Sequence, residues 1–97
     1  MPTYIVLLKF TQKGIETIKE APKRLDAAKQ RFREAGAEMK AWYLTMGQHD
    51  AVAIVEAPND ETFARLTFAT AAMGYVRTET LRALTEADYR KIIASLP

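Results

Sequence analysis

One side chain among these 97 residues titrates near neutrality by its own nature, the lone histidine His49. An imidazole can exchange a proton with a substrate, or ligate a metal or haem, and this one sits beside Asp50 in the run WYLTMGQHDAVAIVEAP, Trp42 to Pro58. No second histidine exists and the carboxylates show no ligand spacing, so no protein-only metal site and no cofactor are expected. The chain has no cysteine, which removes thiol catalysis, disulfides, iron–sulfur clusters and cysteine-bound zinc.

The remaining candidates bind rather than react. Trp42 is a large aromatic facing small residues, Ala51 and Ala53, across a hairpin; that leaves either an apolar-walled cavity with His49 at its mouth or room for close packing, and close packing is the expectation. Arg77 and Glu79 project from one face of a later strand and could hold a carboxylate or activate a water, although an ion pair explains them with less. Tyr89, on the final helix, completes the ligand-binding set. Asp50 is expected to fix the turn through backbone amides rather than act as a base.

These residues must be held by elements, and the elements are legible in order. Thr3–Phe10 is short and apolar on both faces, hence a central strand. From Thr11 the apolar spacing changes to threes and fours through Ile15, Ile18, Leu25, Ala28, Phe32 and Ala35, an amphipathic helix capped by Thr11 and stopped at Gly36. Pro22 interrupts it, which predicts either a kink near residues 19–21 or a short first turn and a main helix starting around Pro22. Strands follow at Ala37–Met46 and His49–Ala57, joined by a two-residue turn at Gly47 and Gln48. In that register Met46 opposes His49, Leu44 opposes Ala51 and Trp42 opposes Ala53, so His49 and Trp42 share a face.

Asn59 caps a second helix whose inward stripe is Phe63, Leu66, Thr70 and Met73, and which Gly74 closes. Tyr75–Leu84 interleaves charges with apolar residues as an edge strand does. Thr85 and Asp88 make a capping-box-like start for a final helix, Glu86–Ser95. The pattern is α+β, the split βαββαβ order of a ferredoxin-like antiparallel sheet with a short C-terminal helix, over one domain of residues 1–97. Two long helices cover only one face of a sheet whose first and third strands are apolar on both. A second copy is the economical cover, giving a face-to-face homodimer.

Net charge is +2, and seven of the fourteen basic residues lie between Lys13 and Arg33, interrupted by acids as a solvated helix face is. RNA-recognition domains of this strand order stack bases on aromatics of the central strands, and AVAIVEAP has none, so no nucleic-acid partner is expected. No apolar run reaches membrane-span length and no basic region precedes the first apolar run; no membrane partner and a cytoplasmic location are expected.

The runs YLTMGQHDAVAIVEAPNDE and GYVRTETLRAL, with Gly14–Ile15 and the stretch Pro22–Leu25, resemble the GYD domain family across nearly the whole chain. The resemblance implies a dimeric α/β barrel and a family without an assigned chemistry. Its signature falls on Gly47, His49 and Asp50, with His49 where the family usually has tyrosine, and its later motif on Arg77, Thr78, Glu79 and Thr80. The expectation is a homodimer with a barrel pocket for a small organic molecule and no assignable reaction. The alternative is a cofactor-independent enzyme, monooxygenase- or isomerase-like, using His49 for proton transfer on an aromatic or keto substrate near Trp42. A deep pocket holding His49 with Arg77 or Tyr89 would favour the alternative.

Overall fold

The computed structural model describes residues 1–97. Four strands form one antiparallel sheet: β1 (Thr3–Phe10), β2 (Glu38–Leu44), β3 (Ala51–Glu56) and β4 (Val76–Ala83), in the order β2-β3-β1-β4. The strands that are apolar on both faces are therefore the two inner ones, and the charge-interleaved strand is an edge. This is the expected ferredoxin-like α+β arrangement.

Pro22 resolves the first helical region into pieces. Helix α1 (Gln12–Glu16) ends at Thr17, a 3-10 turn covers Ile18–Glu20, and α2 (Ala21–Glu34) then starts with the proline in its first turn, where its missing N–H has no intrahelical partner to lose. The second of the two sequence alternatives holds. Helix α3 (Asp60–Ala72) is capped by Asn59, whose side chain accepts from the Thr62 amide at 2.8 Å. Its first turn carries Asp60 and Glu61 against the positive end of the helix dipole.

The helices cover the face that carries Tyr4 and Val6 from β1 and Ala51, Ala53 and Val55 from β3, where Phe32 of α2 and Phe63 and Leu66 of α3 complete the core. The Tyr4 and Phe63 rings stack with centroids 4.0 Å apart. Gly14 locks α1 to the start of β4: a Cβ there would stand 2.2 Å from the Tyr75 carbonyl oxygen, so only glycine fits. Nearby, the Thr11 amide donates to that same oxygen at 3.0 Å and the Thr11 hydroxyl to the Gly74 carbonyl at 2.6 Å.

One expectation about the hairpin needs correction: Met46 does not pair with His49 across a two-residue turn at Gly47 and Gln48. The ladder is shorter than its apolar residues suggested, because strand pairing stops at Leu44 opposite Ala51 and residues 45–50 form the connection. The register of the paired part is as expected, with Trp42 opposite Ala53 and Tyr43 opposite Val52, down to an irregularity between Met39 and Ala41. The connection is anchored within the hairpin, where the Thr45 amide donates to the Asp50 carbonyl at 2.9 Å and the Thr45 hydroxyl to the His49 carbonyl at 2.7 Å, and also from outside it. Asp50 accepts from the Phe10 amide at 2.9 Å through its side chain, and its own amide donates to the Leu8 carbonyl at 2.8 Å.

The last helix, α4 (Glu86–Ala94), has its capping box but no buried residue. It leaves the second face of the sheet open, and the chain is correspondingly extended. The Cα radius of gyration is 14.8 Å, against about 12.5 Å for a compact domain of this length. Only 12 of 97 residues are buried, fewer than a self-sufficient core of this size would hold; the open sheet face accounts for part of the deficit, and exposed Ile15, Ile18, Phe68 and the apolar residues of α4 for more of it.

Candidate functional site

Alternation along the strands separates the sequence-predicted residues. Trp42 and Leu44 share the helix-covered face with Ala51 and Ala53, whereas Arg77 and Glu79 alternate onto the open face with Ile5, Leu7, Val52 and Ile54. His49 goes with the second group: its Nε2 lies 3.4 Å from Glu79 Oε2. The shared face of His49 and Trp42 is thus overturned, because pairing ends before His49 and the strand's alternation no longer governs it. Tyr89 lies on exposed α4, apart from all of these. The structure therefore brings together His49 and Glu79, keeps Arg77 on their face, and leaves Trp42 and Tyr89 elsewhere.

Trp42 stands instead in the wall of a cleft of about 680 Å³ between the sheet and the helices. Small residues on β3 and the break in the helix before Ala21 leave this space open, so the expected close packing does not hold, but His49 is not at the mouth of the cavity as the other reading required. Its floor includes Val6, Leu8 and Ala53, and its walls include Trp42, Phe32 and Phe63. Sequence reading missed its polar members. Arg24 and Arg31, on the α2 face turned toward the cleft, line it together with the hydroxyls of Thr67 and Thr70.

The two guanidinium groups are held differently. Arg24 lies 4.2 Å above the centre of the Tyr75 ring and donates to the Thr17 carbonyl and hydroxyl, each at 3.2 Å. Arg31 reaches the Thr70 hydroxyl at 3.5 Å, at the limit of a hydrogen bond, and its buried Nε has no partner. The signal for this lay in the spacing, since residues 24, 28, 31 and 32 fall on one side of a helix.

A third polar group closes one end of the core. The Tyr4 hydroxyl donates to Asp60 Oδ1, and Arg82 stands 3.7 Å from the same oxygen and 5.4 Å from the Tyr4 ring centre. Burial, then the hydrogen bond and charge of Asp60, raise the phenol above its ordinary value of 10.0, while Arg82 opposes them. No group of three or more His, Asp or Glu side chains converges as metal ligands would. No helix is long and apolar enough to cross a membrane.

A description of the GYD domain matches residues 4–93. This chain belongs to the GYD domain family. Among similar proteins, one from Thermus thermophilus named glutamine synthetase and cystathionine beta-lyase binding protein is 39% identical over 89 residues, covering 91% of this GYD chain and 94% of the relative. Solved structures share the fold. A feast or famine regulatory protein of Mycobacterium tuberculosis, complexed with L-methionine, superposes with a TM-score of 0.67 at 18% identity over 88% of this chain. The GYD chain spans about half of that regulator, 51% of its length. A second Thermus thermophilus protein gives a TM-score of 0.57 at 24% identity, covering 88% of this chain and 95% of that one.

Proposed function

We propose that this GYD protein acts by binding rather than by catalysis, as a cytoplasmic homodimer that docks onto enzymes of amino-acid metabolism. The reading is carried by the end-to-end similarity to a relative named for binding two such enzymes, glutamine synthetase and cystathionine beta-lyase. The open sheet face supports the dimer. It exposes Tyr43 and Leu81 around half-buried Ile5, Leu7, Val52 and Ile54, and carries Arg77 and Glu79 as opposite charges that a two-fold axis could pair with their copies. The exposed apolar side of α4, with Tyr89, Ile92 and Ile93, offers further surface outside the sheet.

The proton-transfer alternative is less well supported. It needed the imidazole in a deep pocket, whereas His49 stands on the opposite face of the sheet from the cleft. The test is sedimentation velocity of the purified protein with glutamine synthetase and, separately, cystathionine beta-lyase from the same organism. A faster-moving complex with either enzyme is expected. Independent sedimentation of all three at tens of micromolar would overturn the enzyme-docking reading.

A further inference from the structure

We infer that the cleft between the sheet and helices α2 and α3 is a binding site for a small carboxylic acid with an apolar body, whose carboxylate is taken by Arg31. This goes beyond the enzyme-docking reading and does not depend on it, because it concerns the helix-covered side of the sheet and needs no second protein.

Three observations converge. The volume, about 680 Å³, falls in the range that holds small organic ligands, and the walls are predominantly apolar, with Trp42, Phe32 and Phe63 supplying aromatic surface. Arg31 is a half-buried, under-partnered donor inside it, with its Nε shielded from water. A guanidinium offers five N–H groups, and here Nε bonds to nothing while the single contact to Thr70 is long. Leaving a charged donor unsatisfied away from water is costly, and a carboxylate returns two charge-assisted bonds to one guanidinium edge.

Neither Arg24 nor Arg31 lies within 4.0 Å of a carboxylate in this chain, so their charge is not already neutralised by an ion pair. The acid that does line the cleft, Glu20, is exposed and lies 3.8 Å from Lys23 Nζ, so it remains outside the buried interior.

The polar inventory also sets the ligand class. Two arginines and threonine hydroxyls line the cleft, with no free carboxylate in its interior to receive an ammonium. An apolar acid without an amino group is matched, and an α-amino acid would bury its ammonium without a partner. Trp42 is the chain's single tryptophan and stands in the wall, so its fluorescence reports occupancy directly.

The experiment titrates the full chain with decanoate, decanol and decylamine below their aggregation limits while following Trp42 emission. Decanoate should give a saturable change, binding at least about tenfold more tightly than decanol, with decylamine weaker still. Arg31→Met, which keeps the length of the stem and removes the fork, should lose at least tenfold in decanoate affinity while decanol binding stays the same. Circular dichroism melting identifies a variant that has failed to fold, and Arg31→Lys, retaining the charge, then serves as the second variant, with a partial loss expected. Equal affinity for decanoate and decanol would overturn the proposal. So would decanoate binding that neither arginine variant weakens, or an emission change driven by protein concentration with none from any of the three probes.

Discussion

The two faces of the β-sheet are made from the same strands, in places from adjacent residues, yet they end in different physical states. On one face Tyr4, Val6, Ala53 and Val55 are buried beneath α2 and α3. On the other, Ile5, Leu7, Val52 and Ile54 are as apolar by composition but keep part of their surface in water, with Tyr43 and Leu81 exposed beside them. The difference teaches that apolar character in a strand signals a demand for cover without naming what supplies it. Inside the covered face, the cover is itself incomplete, and the gap is a cleft that carries positive charge.

The largest test of this contrast is Phe63→Ala on the covered face. Phe63 stacks on Tyr4 and is 6% exposed, so the truncation removes a core ring and leaves a cavity. Urea denaturation should show a loss of about 3–5 kcal/mol. A loss below about 1 kcal/mol would mean that this face is not the organising core.

The counterpart on the open face is Ile54→Lys. Sedimentation equilibrium should show a dimer weakened at least about tenfold, about 1.4 kcal/mol, because the substitution places an ammonium in the proposed interface. The subunit itself should unfold within about 0.5 kcal/mol of the parent when both are compared as monomers. A parent protein that remains a single subunit at high concentration would remove the dimer altogether.

A titration sharpens the contrast further. The raised phenol of Tyr4 favours the neutral form in the folded chain, so its contribution to stability is complete below the unfolded value of 10.0 and disappears as pH climbs through the higher folded value. Melting temperature should therefore decline above pH 10 in the parent, and Tyr4→Phe should remove that share of the decline. Absorbance at 295 nm should show a late phenol ionisation in the parent that Tyr4→Phe lacks. The smallest effect belongs to the open face: His49→Ala breaks a contact to an exposed carboxylate, and denaturation should change by no more than about 1 kcal/mol.

Much of this was legible in the residues. The Thr11, Asn59 and Thr85 caps, and the turns at Gly36 and Gly74, are local events set by a hydroxyl, an amide or a positive φ within a few residues. The candidate site was harder to read, and His49 shows why. Alternation predicts a side chain's face only while the strand stays regularly paired, and regular pairing ends at Ala51, next to an Asp50 whose side chain accepts from Phe10, a partner 40 positions away in the chain. Arg31 was passed over as one more charge on a solvated helix, since exposure depends on what the helix lies against.

By itself, then, the order of amino acids determined the strand and helix types, the two-sided apolar character of β1 and β3, the paired register of the hairpin and the caps, because each depends on periodicity and neighbours. Tertiary structure alone decided that α4 leaves the open face bare, that His49 meets Glu79 rather than Trp42, and that an unpaired guanidinium lies over an apolar cleft. Those outcomes depend on which distant surfaces come to rest against each other, and no local spacing encodes that distance.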